Sequence, residues 1–174
     1  MNFLNYLLKA KGRHGTHSPY IYKFVEDALH DNNALSWLYP DEVEGKKART
    51  LFRVISYLIE AGQLNTSAAV LQGNAWLEHF NPAIKDPDQI TAAQPSITVL
   101  GLEEMDLWKD AFFTKGAGGS NDSVLLLLHP GNPGYTLLED YFKRDHFNAT
   151  IFTWNFSILM NRPDFKRKQH FILR

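Results

Sequence analysis

Two patterns of apolar residues divide the chain. Up to Gly62 they recur every three or four positions, the spacing of amphipathic helices, which predicts helices over 2–10, 19–30 and 45–61. Gly62 provides a left-handed terminator for the third helix. The first helix is predicted to gather its apolar residues on one face, namely Phe3, Leu4, Leu7 and Leu8.

After Gly62 the apolar residues form short continuous runs, as expected for strands that are covered on both faces. These runs predict strands over 68–72, 97–100, 123–128, 149–154, 157–161 and 169–173. Short helices are predicted between them, over 75–80, 103–113 and 135–144. The stretches without a period are predicted to be a loop, 81–95, and a flexible connection, 116–121.

This alternation of helices and apolar strands predicts an α/β fold with a largely parallel sheet. The short turns between the last three strands favour antiparallel pairing there, so the sheet is expected to be mixed. The length of 174 residues suits one domain, 1–174, with amino-terminal helices over 1–62 and a sheet core over 63–174. We expect the following strand residues to be buried: Val70, Leu71, Val99, Val124, Leu125 and Leu126.

Composition excludes several classes of function. A formal net charge of -1 argues against general nucleic-acid binding, and the absence of cysteine excludes disulfides and thiolate metal sites. No run approaches the roughly 18 apolar residues of a membrane span, so no membrane partner is expected. The first residues make a poor secretory signal, which predicts a cytoplasmic location. The basic cluster Lys166–Lys168 is interpreted as a solvated turn.

Residues 13–19 contain a helix start. Ser18 is placed to cap free backbone amides, and Pro19 takes the first helical position, where its missing N–H costs nothing. His14 and His17 are expected to pack against neighbouring elements or to bond to backbone. The seven histidines do not gather with acids into a set of ligands, so no metal site is predicted.

Both ends of the chain resemble one known family. Residues 13–20, the helix over 46–60 and the ending 168–174 are similar to the corresponding parts of a Bacteroidetes family of small class I S-adenosylmethionine-dependent methyltransferase-like proteins. The resemblance implies a single-domain Rossmann-like methyltransferase fold, here reduced. The gap between Gly101 and Ser123 is interpreted as lacking at least one strand–helix unit.

The same resemblance implies a cofactor loop after the first strand, with an acidic residue and several glycines. Placing that strand at 68–72 puts Gln72 where the acid is expected, leaves Gly73 as the single glycine, and brings Trp76 close. An acid that holds the cofactor ribose is expected at the end of the second strand, where Leu100 stands. The candidate cofactor-binding residues are therefore Gly73 and Gln72, together with Glu103, which follows Leu100 and has an ordinary alternative role at a helix start.

The third position that the family uses is the end of a late strand, near the transferred methyl group. Here that strand runs into His129, whose ordinary pKa near neutrality suits a general base. The alternative is a histidine that only closes the strand before Pro130. His129 is thus the candidate catalytic residue, and no carboxylate accompanies it.

Three hypotheses follow from these observations. In the first, a methyltransferase-like protein has lost cofactor binding and catalysis and acts by binding an unknown protein or small-molecule partner. In the second, it is an active methyltransferase that uses S-adenosylmethionine in an atypical site. In the third, it is a small-ligand enzyme at the carboxyl edge of the sheet, with His129 as base.

Overall fold

The computed structural model describes residues 3–11, 18–30, 37–59, 62–86, 96–107, 123–129, 147–161, 165 and 167–174. Within these residues the fold is α/β, built on a seven-stranded sheet. In chain order the strands are β1 Gln63–Thr66, β2 Ala83–Ile84, β3 Ser96–Gly101, β4 Val124–Leu128, β5 Ala149–Phe152, β6 Phe156–Met160 and β7 Gln169–Ile172.

The sheet is mixed, in the spatial order β2-β1-β3-β4-β6-β5-β7. From β2 to β4 all neighbours are parallel. Strand β6 lies between β4 and β5 and runs antiparallel to both, and β7 adds to the outer side of β5 in the parallel direction. Six of the described strands therefore point the same way and β6 points against them.

Each face of the sheet carries its own apolar cluster. Leu64, Val99 and Leu126 face one side, where they join residues of the helices α2 Pro19–Phe24, α3 Gly45–Leu58 and α4 Ala68–Gly73. Leu100 and Leu127 face the other side with Tyr6 of the helix α1 Phe3–Lys9. We call these the α3 face and the α1 face.

Arg53 joins the amino-terminal helices to each other. Helix α2 continues into a π-helical turn, Val25–Leu29, which leaves carbonyl groups at its end without helical partners. The buried guanidinium of Arg53 on α3 donates to the carbonyl oxygens of Ala28, at 3.0 Å, and Leu29, at 3.1 Å. It also donates to the Tyr39 hydroxyl at 2.7 Å, so one side chain satisfies three acceptors from two segments.

The start and the end of the chain are in contact. The Lys11 N–H donates to the Ile172 carbonyl at 2.8 Å, the Tyr6 hydroxyl donates to the Leu173 carbonyl, and His30 Nε2 lies 2.9 Å from the Arg174 carbonyl oxygen. Burial raises the pKa of Tyr6, which keeps its hydroxyl protonated as the donor. The last three residues of the chain are therefore held by residues near its start.

The predicted strand over 68–72 is wrong. These residues form α4, because the Ser67 hydroxyl accepts the Val70 N–H at 3.2 Å as an N-cap and two alanines follow. The first strand is β1, which precedes them. Val70 is buried as expected, although on a helix, whereas Leu71 is only half-buried. The predicted loop over 81–95 contains the short strand β2 in its described part.

The expected antiparallel pairing holds for β5 and β6 and fails for β7. Since β6 has β4 on one side and β5 on the other, it has no free edge for another strand. Strand β7 therefore passes to the outer edge of β5 and pairs in parallel with it.

The apolar face predicted for the first helix is not the face that packs on the sheet. Tyr6 is buried against the sheet and Leu7 is half-buried, whereas Phe3, Leu4 and Leu8 are exposed. The helix turns its tyrosine inward because the hydroxyl finds the Leu173 carbonyl there.

The remaining predicted elements agree where they are described. Val99, Val124, Leu125 and Leu126 are buried in the sheet, and 75–80 forms a 3₁₀ helix. Gly62 has a φ of 143°, in keeping with a terminator after α3. The histidines His14 and His17, the connection 116–121 and the helix 135–144 lie outside the described residues.

Ser18 caps α2 as the sequence predicts, since its hydroxyl accepts the Ile21 N–H at 3.4 Å. Ser18→Ala should lower the free energy of unfolding by about 1 kcal/mol. Urea denaturation followed by circular dichroism measures the change. Ser18→Asn is the control, because asparagine also caps, and an equal loss in both variants would contradict the capping role.

Arg53→Ala should lower the free energy of unfolding by about 3 kcal/mol, because it leaves several buried acceptors without their charged donor. Arg49→Ala on the same helix is the matched control. Arg49 is exposed and lies over the Tyr39 ring at 5.4 Å, a contact worth about 0.5–1 kcal/mol. Equal losses in the two variants, measured by urea denaturation, would show that the Arg53 hydrogen bonds do not hold the helices together.

Candidate functional site

The strand order reverses direction at β1. The chain passes from β1 to β2 on one side of it and then returns to β3 on the other side. In open α/β sheets, ligands bind beyond the carboxyl ends of the strands at such a reversal. The candidate site therefore lies beyond the carboxyl ends of β1, β2 and β3, with that of β4 next to them.

The end of β1 uses its hydroxyl groups inside the fold. The Thr66 hydroxyl donates to the Val99 carbonyl of β3 at 3.0 Å and is fully buried. The Ser67 hydroxyl accepts the Val70 N–H of α4. The residues that follow Ser67 are alanines, so this turn offers neither a carboxylate nor a glycine to a ligand.

The end of β3 carries two carboxylates with different surroundings. Glu104 accepts the Gly101 N–H at 2.9 Å and so closes the 3₁₀ turn Leu102–Glu104. Glu103 is exposed, and its carboxylate folds back over Gly101, where an added Cβ would lie 2.5 Å from Oε1. Glu103 therefore lies at the predicted edge of the sheet and is open to solvent.

Asp86 is a site residue that the sequence analysis missed. It is the second residue after β2, and the N–H of the intervening Lys85 donates to the Thr66 carbonyl at 3.1 Å, so this segment stays beside the end of β1. Asp86 is exposed. Dinucleotide-binding folds place a ribose-binding acid roughly 20 residues after the first glycine turn, and Asp86 stands at a comparable distance after Ser67. This spacing could have identified Asp86 from the sequence. The first strand was predicted at 68–72 instead of Gln63–Thr66, so the distance was counted from the wrong turn.

The residues first assigned to the cofactor loop lie elsewhere. Gln72 and Gly73 are at the end of α4, exposed, and a full helix away from the carboxyl end of β1. No atom lies within 4 Å of a Cβ added to Gly73, so nothing in the described structure requires glycine there. Leu100 is fully buried on the α1 face of β3, and Trp76 is buried against α3. The structure therefore does not bring Gln72 or Gly73 together with Glu103.

His129 lies at the carboxyl end of β4, as predicted, but it is enclosed. Its ring stacks on Phe152 with centroids 5.3 Å apart and planes 13° apart, and its Nε2 lies 3.0 Å from the Ser157 hydroxyl oxygen. His129 is 2% exposed and Ser157 is fully buried. The pair has the hydrogen bond of a serine nucleophile and its base, yet both side chains are enclosed by the protein.

Two further polar groups lie side by side on the α1 face. Asn65 of β1 and Thr98 of β3 are register partners, and both are buried. Their Oδ1 and Oγ1 atoms are without hydrogen-bond partners in the structure. Buried polar atoms normally find a partner, since leaving one unpaired costs about 1–3 kcal/mol. This pair is therefore a polar spot that a bound molecule or a water can satisfy.

Within the described ranges there is neither a metal-binding cluster nor a membrane-spanning helix. No three His, Asp or Glu side chains there come together in a way that could hold a metal ion. No helix among those residues is both long enough and apolar enough to cross a bilayer.

Comparisons with known proteins found no match. No family model, no curated protein and no solved structure is similar to this chain. The resemblance to the methyltransferase-like family thus rests on the sequence of residues 13–20, 46–60 and 168–174.

The His129–Ser157 pair is expected to be structural. Ser157→Ala should lower the free energy of unfolding by about 1–2 kcal/mol, because the buried imidazole loses this hydrogen bond. A fluorophosphonate probe should leave wild-type Ser157 unlabelled, as judged by mass spectrometry of tryptic peptides. Stoichiometric labelling of Ser157, abolished in His129→Gln, would instead reveal a nucleophile.

Proposed function

We propose that this chain is a methyltransferase-like α/β protein that has lost methyl transfer and acts by binding a partner or small molecule. The observation that carries the proposal is the end of β1. Where a cofactor would need bare backbone and a carboxylate, Thr66 bonds to Val99 and Ser67 caps α4. Both hydroxyls of this turn are engaged within the protein.

The topology supports the ancestral part of the proposal. The doubly wound order is 3-2-1-4-5-6, and removal of its third strand leaves 2-1-4-5-6, whose first four strands correspond to β2-β1-β3-β4 here. On that correspondence the missing strand–helix unit belongs between β2 and β3, not between Gly101 and Ser123. The loss of one strand–helix unit from a Rossmann-like sheet then accounts for both the strand order and the short chain.

The binding part of the proposal is supported by polar groups that the fold leaves available. Asp86 and Glu103 are exposed beyond the ends of β2 and β3, on the two sides of β1. Asn65 and Thr98 on the α1 face are buried and do not add to this exposed set. The enclosed His129, by contrast, is not placed to act as a base on a bound molecule.

An active methyltransferase is the second candidate, and one observation favours it. The second strand in the chain is β2, Ala83–Ile84, and not the strand that ends at Leu100. The acid expected at the end of the second strand therefore corresponds to Asp86. A carboxylate at this position is suited to accept hydrogen bonds from the two ribose hydroxyls of S-adenosylmethionine. The loss of binding then depends on the β1 turn alone.

Calorimetric titration with S-adenosylmethionine and S-adenosylhomocysteine separates the two candidates. A micromolar site needs about -8 kcal/mol, and an intact β1 turn would supply several charge-assisted bonds of roughly 1.5–3 kcal/mol each. We therefore expect no saturable heat at tens of micromolar cofactor.

The variant Asp86→Asn gives the titration a specific control. A micromolar dissociation constant that is weakened at least tenfold by Asp86→Asn, but not by the exposed-acid control Asp41→Asn, would refute the proposal and establish cofactor binding. Micromolar binding that neither substitution changes would also refute the proposed loss of cofactor binding. In that case the cofactor site would lie away from β2.

A further inference from the structure

Charge is strongly segregated along this chain. Residues 1–25 and 165–174 hold eight of the 18 Lys and Arg residues and none of the 19 Asp and Glu residues. The segment between them keeps 10 basic and all 19 acidic residues. The formal net charge of -1 therefore conceals two strongly basic ends.

The fold brings described parts of these two basic segments together. Lys11 forms a parallel bridge with Leu173, and the Arg174 N–H donates to the Lys11 carbonyl at 3.4 Å. Lys9 ends α1 just before this contact. The side chains of Lys9, Lys11 and Arg174 belong to exposed residues. They make one corner of the molecule basic.

The same corner exposes large apolar side chains. Leu4 is 66% exposed and Leu8 is 77% exposed, one turn apart on α1, and Phe3 beside them is 51% exposed. The opposite side of the helix is held by Tyr6, which packs against Phe152 and Trp154. The leucines therefore project from a helix that is fixed to the sheet.

We propose that this basic apolar corner, made of α1 with Lys9, Lys11 and Arg174, docks on an anionic lipid surface. Interfacial helices combine Leu and Phe side chains with Lys and Arg, so that the apolar groups enter the acyl boundary while the cations meet the lipid headgroups. The strength of such binding scales with the buried apolar area plus the electrostatic attraction to anionic lipids. The proposal replaces the expectation of no membrane partner, and it involves contact without a span.

Acidic residues of two described elements bear on the charge of this corner. Glu26 of the π-helical turn accepts a hydrogen bond from the Tyr22 hydroxyl, and Asp27 next to it is also engaged. Glu103, Glu104 and Asp106 follow β3, which lies three strands from β5. Leu102 and Met105 of the same segment belong to the apolar cluster of Tyr6, so this segment lies on the α1 face, and the salt dependence measured below reports the net charge that a lipid surface meets.

Vesicle co-sedimentation tests the proposal. The full chain is mixed with vesicles of phosphatidylcholine containing one quarter phosphatidylglycerol, and with vesicles of phosphatidylcholine alone. We expect binding to the anionic vesicles that weakens at 0.5 M salt, and at least tenfold weaker binding to the neutral ones. Leu4→Ser with Leu8→Ser should weaken binding on the order of 100-fold. Lys9→Gln with Lys11→Gln should weaken it roughly 20-fold.

Leu38→Ser is the matched control, because Leu38 is 90% exposed in the connector before α3 and should leave binding unchanged. Circular dichroism of each variant verifies its fold. Absence of sedimentation with anionic vesicles would overturn the proposal, as would equal binding by the Leu4/Leu8 variant. Self-association that depends on Leu4 and Leu8, seen in sedimentation velocity without vesicle binding, would assign the corner to a second copy of the chain instead.

Discussion

The insertion of β6 between β4 and β5 is the constraint on which the rest of the sheet depends. Because β6 runs antiparallel to both neighbours, its hydrogen-bonding groups are used on both sides. The next strand therefore has to pass to the outer edge, where β7 pairs with β5. That placement brings Ile172 and Leu173 to Lys11 and Tyr6, and so joins the two ends of the sequence. The insertion also encloses Ser157 and, with it, His129.

Much of the fold could be predicted because its strongest signals are local. Continuous apolar runs identified β3 to β6, and the serine–proline pair identified the start of α2. The first strand was missed because Leu64 is its single apolar residue, followed by Asn65 and Thr66, while the stretch after Ser67 resembles a strand in composition alone. The Ser67 cap, a single hydrogen bond, decides that the stretch is a helix.

The wrong position predicted for the first strand also caused the errors in the predicted candidate site. With the first strand at β1, Gln72 and Gly73 lie at the end of α4 and not in a loop after that strand, whereas Asp86 lies just beyond the end of β2. His129 was placed correctly at the end of its strand, because a run of leucines fixes β4. Its burial could not be read from neighbouring residues, since it depends on Ser157 and Phe152, which are distant in sequence and reach it through the strand insertion.

The contact between α1 and the segment after β7 also sets an order of events in folding. Tyr6 and Leu173 are separated by 167 positions, so closing this loop from the unfolded chain costs several kcal/mol of entropy, about 4–5 by chain statistics. The carbonyl that Tyr6 needs is positioned only after β5 and β6 have formed the edge that β7 joins. We therefore expect docking of α1 to be a late step in folding, after the central strands of the sheet have assembled. Until then the helix is tethered but undocked, and its tyrosine remains exposed together with its leucines.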